Sequence, residues 1–462
     1  MPQFRDPIHG FISITEDELR IVNSAPFQRL RNIRQLATTY LVYHGAEHTR
    51  FGHSLGVMHL VARVFDSVTS NELGLFISND SLGNSLRTEW YRQILRLIAL
   101  THDLGHAPFS HVSEELFAEG LKHEHYTKKI IEDTVISEYI TEIGAKLQKS
   151  LSKKSKLSSE ELIEKYNIRP ITPQLLWMIY EAKQVVSPEY IFPDFNFLKS
   201  FMDGELDCDK MDYLLRDSLY CGVTYGKYDL ERFISTLTAH KDLAQNSLSL
   251  AICSGGVQAL EEFVLARYFM FIQVYFHKTR RHFDRLLIEG IKELLPGGAF
   301  PKELEEYIKW DDIYVLYKMK LDGKKHAKQY LARTCMTCVY ESSAHPSDTE
   351  KMFLKIIPKE LQKNFPDTSF EFDEVDKEAH KLLPREYLSA RSSTNADEND
   401  IKIIDKYTDE VKSMMNSSLI LKGITKKIFI SRIYAYTAGK DVSCIKDWIN
   451  SKKLEYLPEG GK

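Results

Sequence analysis

The chain has 462 residues, 43% of them apolar and 27% charged, a composition that suits a globular protein with a sizeable core and excludes a disordered or disulfide-built scaffold. Its 61 basic and 65 acidic residues leave a net charge of −4, which excludes an overall polybasic binder of nucleic acid or membrane surfaces. At roughly 150 residues per domain, this length suits about three domains, or one large and one small.

Residues 1–20 open with the turn Asp6-Pro-Ile-His-Gly10, and Phe11-Ile-Ser-Ile14 then alternates as a strand does. From Glu16 the pattern turns helical. Leu19 and Val22 precede a break at Pro26, after which Phe27, Leu30, Ile33 and Leu36 keep a helix-spaced apolar face. Amphipathic helices are predicted over 53–72 and 88–104, the second limited by Pro108. Residues 148–165, rich in Lys, Ser and Glu, read as a solvated helix end or a flexible insertion. Residues 170–220 return to helix, punctuated by Pro170, Pro173, Pro188 and Pro193. Residues 255–295 predict a long helix or helix pair closed by Pro296-Gly-Gly298.

Beyond that point the character changes. Residues 300–360 read as helical, 367–372 and 426–433 alternate as strands, and 389–400 form a polar loop of disorder-prone composition. The fold class is therefore mainly α, a helical domain over 1–296 with a smaller α+β region over 297–462. No run reaches the ~18 apolar residues of a membrane helix. Six scattered cysteines without a signal peptide predict reduced thiols and a cytoplasmic protein. A single Cys335-x-x-Cys338 pair, with no second pair, reads as ordinary packing rather than a zinc site.

Histidine placement is the first sign of chemistry. Ten of 16 histidines fall in the first 125 residues, and neutral imidazole is both a common metal ligand and a proton carrier near neutral pH. His102-Asp103 sets a nitrogen and an oxygen ligand side by side, with His106 three and four residues further on. His53 lies upstream. Downstream, Asp209, Tyr213, Arg216 and Asp217 share one helical stripe, too polar to face a core. Alone, a His-Asp pair is weak, and a lone buried histidine is more often structural. The ordered series of His53, His102-Asp103 and Asp209 is what raises it.

That series resembles the signature of the HD superfamily of metal-dependent phosphohydrolases. The runs Asp6-Pro-Ile-His-Gly10, Phe27-Gln-Arg-Leu-Arg31, Arg50-Phe-Gly-His53-Ser-Leu-Gly56, His102-Asp-Leu-Gly-His106-Ala-Pro-Phe-Ser-His111 and Asp207-Cys-Asp-Lys-Met-Asp-Tyr-Leu-Leu-Arg-Asp217 resemble, more narrowly, the deoxynucleoside triphosphate triphosphohydrolases. The likeness runs from about residue 2 to 290, and the C-terminal third is only loosely similar.

The resemblance implies an HD helical core and hydrolysis of dNTPs to deoxynucleoside and tripolyphosphate. It implies a divalent metal (Mn, Fe, Mg or Zn) on His53, His102, Asp103 and Asp209, since a mixed N/O set does not choose among them. His111, with His106 and His123, becomes a candidate acid for the leaving oxygen, and Glu114 a carboxylate that orients a histidine; His125 cannot be separated from His123. Arg50, Lys210 and Arg267 match triphosphate-binding positions. Helix spacing puts Arg267, Phe271, Tyr275 and Lys278 on one stripe. Tyr213, Asp217 and Tyr275 match deoxyribose contacts, and Gln35-Leu36 the element that reads the 3′-hydroxyl and crowds out a 2′-hydroxyl. Gln28 and Arg31 match an allosteric nucleotide site. Asn23 replaces an acid that reads guanine there, so activation by a dNTP is expected over strict GTP dependence. Arg29 and Arg34 read equally as a surface basic face. A homo-oligomer, a tetramer, is implied, and nucleic acid is not an expected partner. The competing readings are an HD phosphohydrolase of monophosphates, alarmones or nucleic-acid ends, and a nucleotide-binding scaffold without turnover.

Overall fold

A computed structural model describes residues 1–71, 80–181, 195–242, 247–378, 401–408, 410–424, 426–436 and 441–456. The polar stretch 389–400 lies outside them. The architecture is mainly α, with an HD core and small sheets. Six helices carry the argument: α1 (Arg50–Asn71), α2 (Ser81–Thr101), α3 (Cys208–Cys221), α4 (Val257–Met270), α5 (Lys278–Lys292) and α6 (Asp312–Asp322).

The helices α1 and α2 form the centre. Leu55, Met58, Val61 and Phe65 of α1 meet Ile94, Leu95, Leu97 and Ile98 of α2 in one buried cluster. At ~1.5–3 kcal/mol per fully buried large apolar side chain, this seam is a main source of stability. Expected elements appear with shifted ends. The strand after Gly10 is the second arm of the hairpin Gln3–Asp6/Gly10–Ser13. Its turn is held by Asp6, whose Oδ1 accepts the N–H of Ile8 and His9. After the helix Glu16–Val22, Pro26 starts a short turn Ala25–Gln28, and a 3₁₀ segment Arg29–Asn32 follows. Phe27, Leu30 and Ile33 are fully buried as their spacing predicts.

Three features were not legible as patterns. The span 255–295 is broken by a π-turn, Phe271–Tyr275, between α4 and α5. Within 300–360, Thr337–Glu341 is a strand. Strands Leu237–Asp242 and Ser247–Cys253 form an antiparallel pair, and Lys402–Ile404 adds to the second in parallel, followed by Val411–Ser413. That sheet joins chain from both sides of residue 296. So does a second apolar cluster, where Phe283, Leu287 and Ile291 of α5 pack with Tyr307, Val315 and Tyr330.

The remaining sheet has Ile428–Tyr436 at its centre, antiparallel to Thr337–Glu341 and Ser369–Lys377, with helices Asp348–Asn364 and Ser443–Tyr456 packed on it. It docks on the α4–α5 junction through an apolar patch, with Val375, Ile428 and Ile430 against Tyr268, Phe271 and Phe276, and through charge. Buried Arg432 bonds Glu341 at 2.6 Å and the Phe276 carbonyl, and Arg281 pairs with Asp373 at 2.8 Å. All six cysteines are free. Among the described residues, no helix is long and apolar enough to cross a membrane.

Candidate metal centre

His53 lies on the first turn of α1, and His102 caps the C-terminal end of α2. Asp103 follows in the turn leaving α2, and Asp209 lies in the first turn of α3, which Asp207 caps through the Lys210 N–H. Asp103 and His106 are therefore brought together by a turn, His106 N bonding Asp103 O, and not by a shared helix face.

Ligand atoms of His53, His102 and Asp209 lie within 4.8 Å of one another. His53 Nε2 is 2.8 Å from Asp209 Oδ1 and 3.7 Å from Asp103 Oδ2, and His102 Nε2 is 3.3 Å from Asp103 Oδ1. Both rings are anchored at the far nitrogen. His53 Nδ1 donates to Asp212 Oδ2 at 2.8 Å, and His102 Nδ1 to the Ala99 carbonyl at 2.7 Å. Both Nε2 atoms are buried without an aligned hydrogen bond. Anchored, inward-facing lone pairs are what a metal-ligating imidazole needs. Burial opposes charge on His53, yet Asp209 and Asp212 pull its pKa up to about 10. Burial also opposes charge on Asp209, and His102 and His53 hold its pKa well below the carboxylate range. The group thus favours a positive charge at its centre, and its donor set fits a divalent metal.

A second group adjoins the first. His106 Nε2 is 3.1 Å from Asp103 Oδ1, and its ring stacks on His123 at 4.0 Å. Glu114 Oε1 lies 2.8 Å from both His111 Nδ1 and His123 Nδ1 and 3.5 Å from His106 Nδ1. Burial pushes Glu114 up, but the histidines pull it far below its usual range. Burial and the Arg50 charge hold His106 neutral. The His111 side chain is 68% exposed, so it can meet a ligand from solvent. His125 stands apart, edge-on to Tyr126.

The expected phosphate cations are engaged. Arg50 is buried, donating to Asp103 at 2.6 Å and Ser110 at 2.7 Å. Lys210 bonds Asp207 and the Gly204 carbonyl. Arg267 is buried with its guanidinium over Phe271, 5.4 Å from the ring centre. Lys278 is exposed at the start of α5, off the expected stripe, because the chain leaves the helix at Phe276–His277 and Lys278 begins a new one. The sugar-side residues do converge. Asp217 accepts Tyr275 Oη–H at 2.7 Å and meets His48 Nε2 at 2.9 Å, and Tyr213 packs edge-on to Tyr275. Gln35 keeps a buried Oε1 without a partner, and Leu36 is buried beside it in sequence. On the outer surface, Gln28 bonds Arg31 at 2.8 Å, Arg31 covers Phe51, and Asn23 is exposed.

Arg29 and Arg34 do not form a basic surface face. Arg29 is buried, donating to the carbonyls of Leu104, His106 and Trp310, and Arg34 is half-buried, paired with Glu47. Arg216, read as part of the polar stripe, turns away from the ligands and bonds Asp212 and Asp6. Sequence reasoning missed Asp212, His48 and His9, which support the site. His9 Nε2 meets Asp212 Oδ1 at 2.7 Å. The early histidine excess was the available signal for two of these.

The HD domain family model matches residues 50–175, and that of the HD associated region matches 228–341. An uncharacterised protein of Bacillus subtilis is 32% identical over 68% of this chain. The chain spans 64% of that relative's length, less than two thirds. The deoxynucleoside triphosphate triphosphohydrolase SAMHD1 of Mus musculus is 25% identical, with 99% of this chain and 67% of the mouse protein covered. The crystal structure of a hypothetical protein from Aquifex aeolicus superposes with a TM-score of 0.68 at 26% identity, covering 98% of this chain and 99% of that one.

Proposed function

The chain belongs to the HD-domain family related to the deoxynucleoside triphosphate triphosphohydrolases, and on that premise we propose that it hydrolyses dNTPs to deoxynucleoside and tripolyphosphate. One observation carries the reading. A two-imidazole, two-carboxylate group abuts a carboxylate-held histidine cluster, the two linked by the 3.1 Å approach of His106 Nε2 to Asp103 Oδ1. That pairing puts metal ligands beside proton carriers.

A divalent cation (Mn, Fe, Mg or Zn) held by His53, His102, Asp103 and Asp209 would polarise a phosphoryl oxygen and lower the pKa of a bound water. His111, exposed and oriented by Glu114, gives its proton to the leaving 5′-oxygen. His106, kept neutral, and His123 line the phosphate. Arg50, Lys210, Arg267 and Lys278 supply positive charge to the triphosphate, the first two while keeping their carboxylate partners. Asp217, Tyr275 and Tyr213 hold the deoxyribose. Gln35 offers its buried oxygen to the 3′-hydroxyl, and Leu36 crowds C2′. An extra hydroxyl must then clash or lose its hydrogen bonds.

The rest of the reading comes from the resemblance. A nucleotide activator, a dNTP by the Asn23 argument, binds near Asn23, Gln28 and Arg31. The chain works as a homo-oligomer, a tetramer, in the cytoplasm and without nucleic acid.

Product analysis tests this. Purified protein with Mn²⁺ or Mg²⁺ and a dNTP mixture should release tripolyphosphate, and Asp103→Ala or Asp209→Ala should abolish it. Release of pyrophosphate or phosphate would instead assign a different HD phosphohydrolase reaction. No turnover, with or without a second nucleotide, would assign a binding scaffold.

A further inference from the structure

The loop between α2 and the His111 turn is held in an unusual backbone. Phe109 and Ser110 both have φ of +58°, a left-handed conformation that side-chain-bearing residues adopt rarely and only when their surroundings impose it. The α2 helix does not impose it, since it ends at Thr101.

The constraint comes from a residue 203 positions away. Asp312, the first residue of α6, is 1% exposed. Its Oδ1 accepts the Phe109 N–H at 2.7 Å, and its Oδ2 accepts the Arg34 N–H at 3.0 Å. The Arg34 guanidinium stands 3.6 Å off, and Asp311 is occupied by the Tyr314 and Asn32 N–H groups. Around this contact the same segment grips the loop again. The Tyr307 hydroxyl donates to the Gly105 carbonyl at 2.7 Å, and the Trp310 and His106 carbonyls share Arg29. Ser110 Oγ donates to the Arg34 carbonyl at 2.6 Å and accepts from Arg50.

We propose that Asp312 is a positioning residue that fixes two active-site loops against each other, the turn that presents His111 and the turn that presents Gln35. A carboxylate is required because two backbone donors approach its two separate oxygens. An amide at this place sets its own N–H against one of them, and a buried unpaired donor is strongly disfavoured. The HD associated region, which contains Asp312, thereby takes part in the site. The claim about His111 rests on the function proposed above, whereas the claim about the backbone does not.

Two measurements on the full chain test it. In hydrogen–deuterium exchange of the wild type, the amides of Phe109 and Arg34 are expected to be protected although both lie outside regular helices. In Asp312→Asn they should exchange at least about tenfold faster, while α1 and α2 keep their protection. In steady-state kinetics with dNTP, Asp312→Asn should lower kcat about 10- to 100-fold with KM changed less than about threefold. Adding His111→Asn should cost little more. Wild-type amides exchanging at open-loop rates would overturn the proposal without any variant having to fold. So would an Asp312→Asn chain with unchanged loop exchange or unchanged kcat, or equal losses in both single variants that simply add. Absence of dNTP turnover in the wild type would sink the proposed function and leave the exchange result to decide this one.

Discussion

Asp212 takes the Nδ1 proton of His53 at 2.8 Å, and that contact decides what the other ring nitrogen can do. With Nδ1 fixed as donor to Asp212, Nε2 is the nitrogen left to meet a metal, and it faces Asp209 at 2.8 Å. Asp212 is itself saturated by His9 and by two N–H groups of Arg216, so its charge and angle are set by α3 and the N-terminal hairpin together. Asp212→Asn should lower metal affinity about 10- to 100-fold, measured by metal titration of the purified chain. Asp209→Ala should remove bound metal outright. Wild-type affinity in a folded Asp212→Asn chain would show that the ligand geometry does not depend on this support.

Gly56 and Gly105 are steric requirements of the same site. A Cβ on Gly56 would lie 2.0 Å from Asp212 Oδ1. A Cβ on Gly105 would lie 2.2 Å from both the His123 carbonyl and the Thr127 nitrogen, which are backbone atoms and cannot step aside cheaply. Gly105→Ala should therefore push the His102–His106 turn away from the helix that carries His123. We expect about 1–3 kcal/mol of destabilisation in denaturant titration and a large fall in kcat. A stable, fully active Gly105→Ala chain would mean that the turn and that helix need not touch.

The stability of the chain toward acid should depend on Glu18, which is fully buried against Arg96 at 2.7 Å. Burial pushes its pKa up, but the Arg96 charge and hydrogen bonds, with those of Thr15 and Gln93, bring it down to about 2. The unfolded chain, near 4.5, binds the proton more readily. This pair's contribution is complete above pH 4.5 and is lost as pH falls from there toward 2. It amounts to something on the order of 3 kcal/mol. Glu18→Gln should flatten that part of the stability–pH curve and should weaken the fold at pH 7, where Arg96 would be left half-paired. An unchanged slope between pH 4.5 and 2 would remove Glu18 from the acid response.

The residues of the metal-capable group were legible because each belongs to a short local pattern, and the apolar seams were legible because helix spacing survives without knowledge of the partner. What was hidden depends on long-range pairing. Nothing near Asp212 in sequence announces His9, 203 residues away, or His53, 159 away. Arg50 was expected at a phosphate-binding position, yet it sits beside Asp103, 53 residues away, which only the fold brings close. The stripe from Arg267 to Lys278 assumed one unbroken helix at 3.6 residues per turn, and the break at Phe276–His277 put its last member on a separate helix. The parallel pairing of Lys402–Ile404 with Ser247–Cys253 joins strands about 150 residues apart, with no local trace of either partner in the other.

The role of His111 can be separated from that of the metal ligands by choice of leaving group. A deoxynucleoside 5′-oxygen leaves as a poor, strongly basic alkoxide unless it is protonated, so removing its proton donor should cost about 10²–10⁴-fold in kcat. His111→Asn should show that loss with dNTP while keeping the metal held by His53, His102 and Asp209, a group it does not belong to; any metal it loses would be one held by the neighbouring group of His106, His111, Glu114 and His123, which could also hold an ion. A p-nitrophenyl phosphodiester releases a far more acidic phenol that needs no proton. Its hydrolysis should fall much less in His111→Asn, whereas Asp103→Ala should lose both reactions. Glu114→Gln should resemble His111→Asn in weaker form, because Glu114 acts by holding the ring at 2.8 Å and not by touching the leaving group. Equal losses with both substrates in His111→Asn would mean that this histidine binds phosphate and that the proton comes from elsewhere.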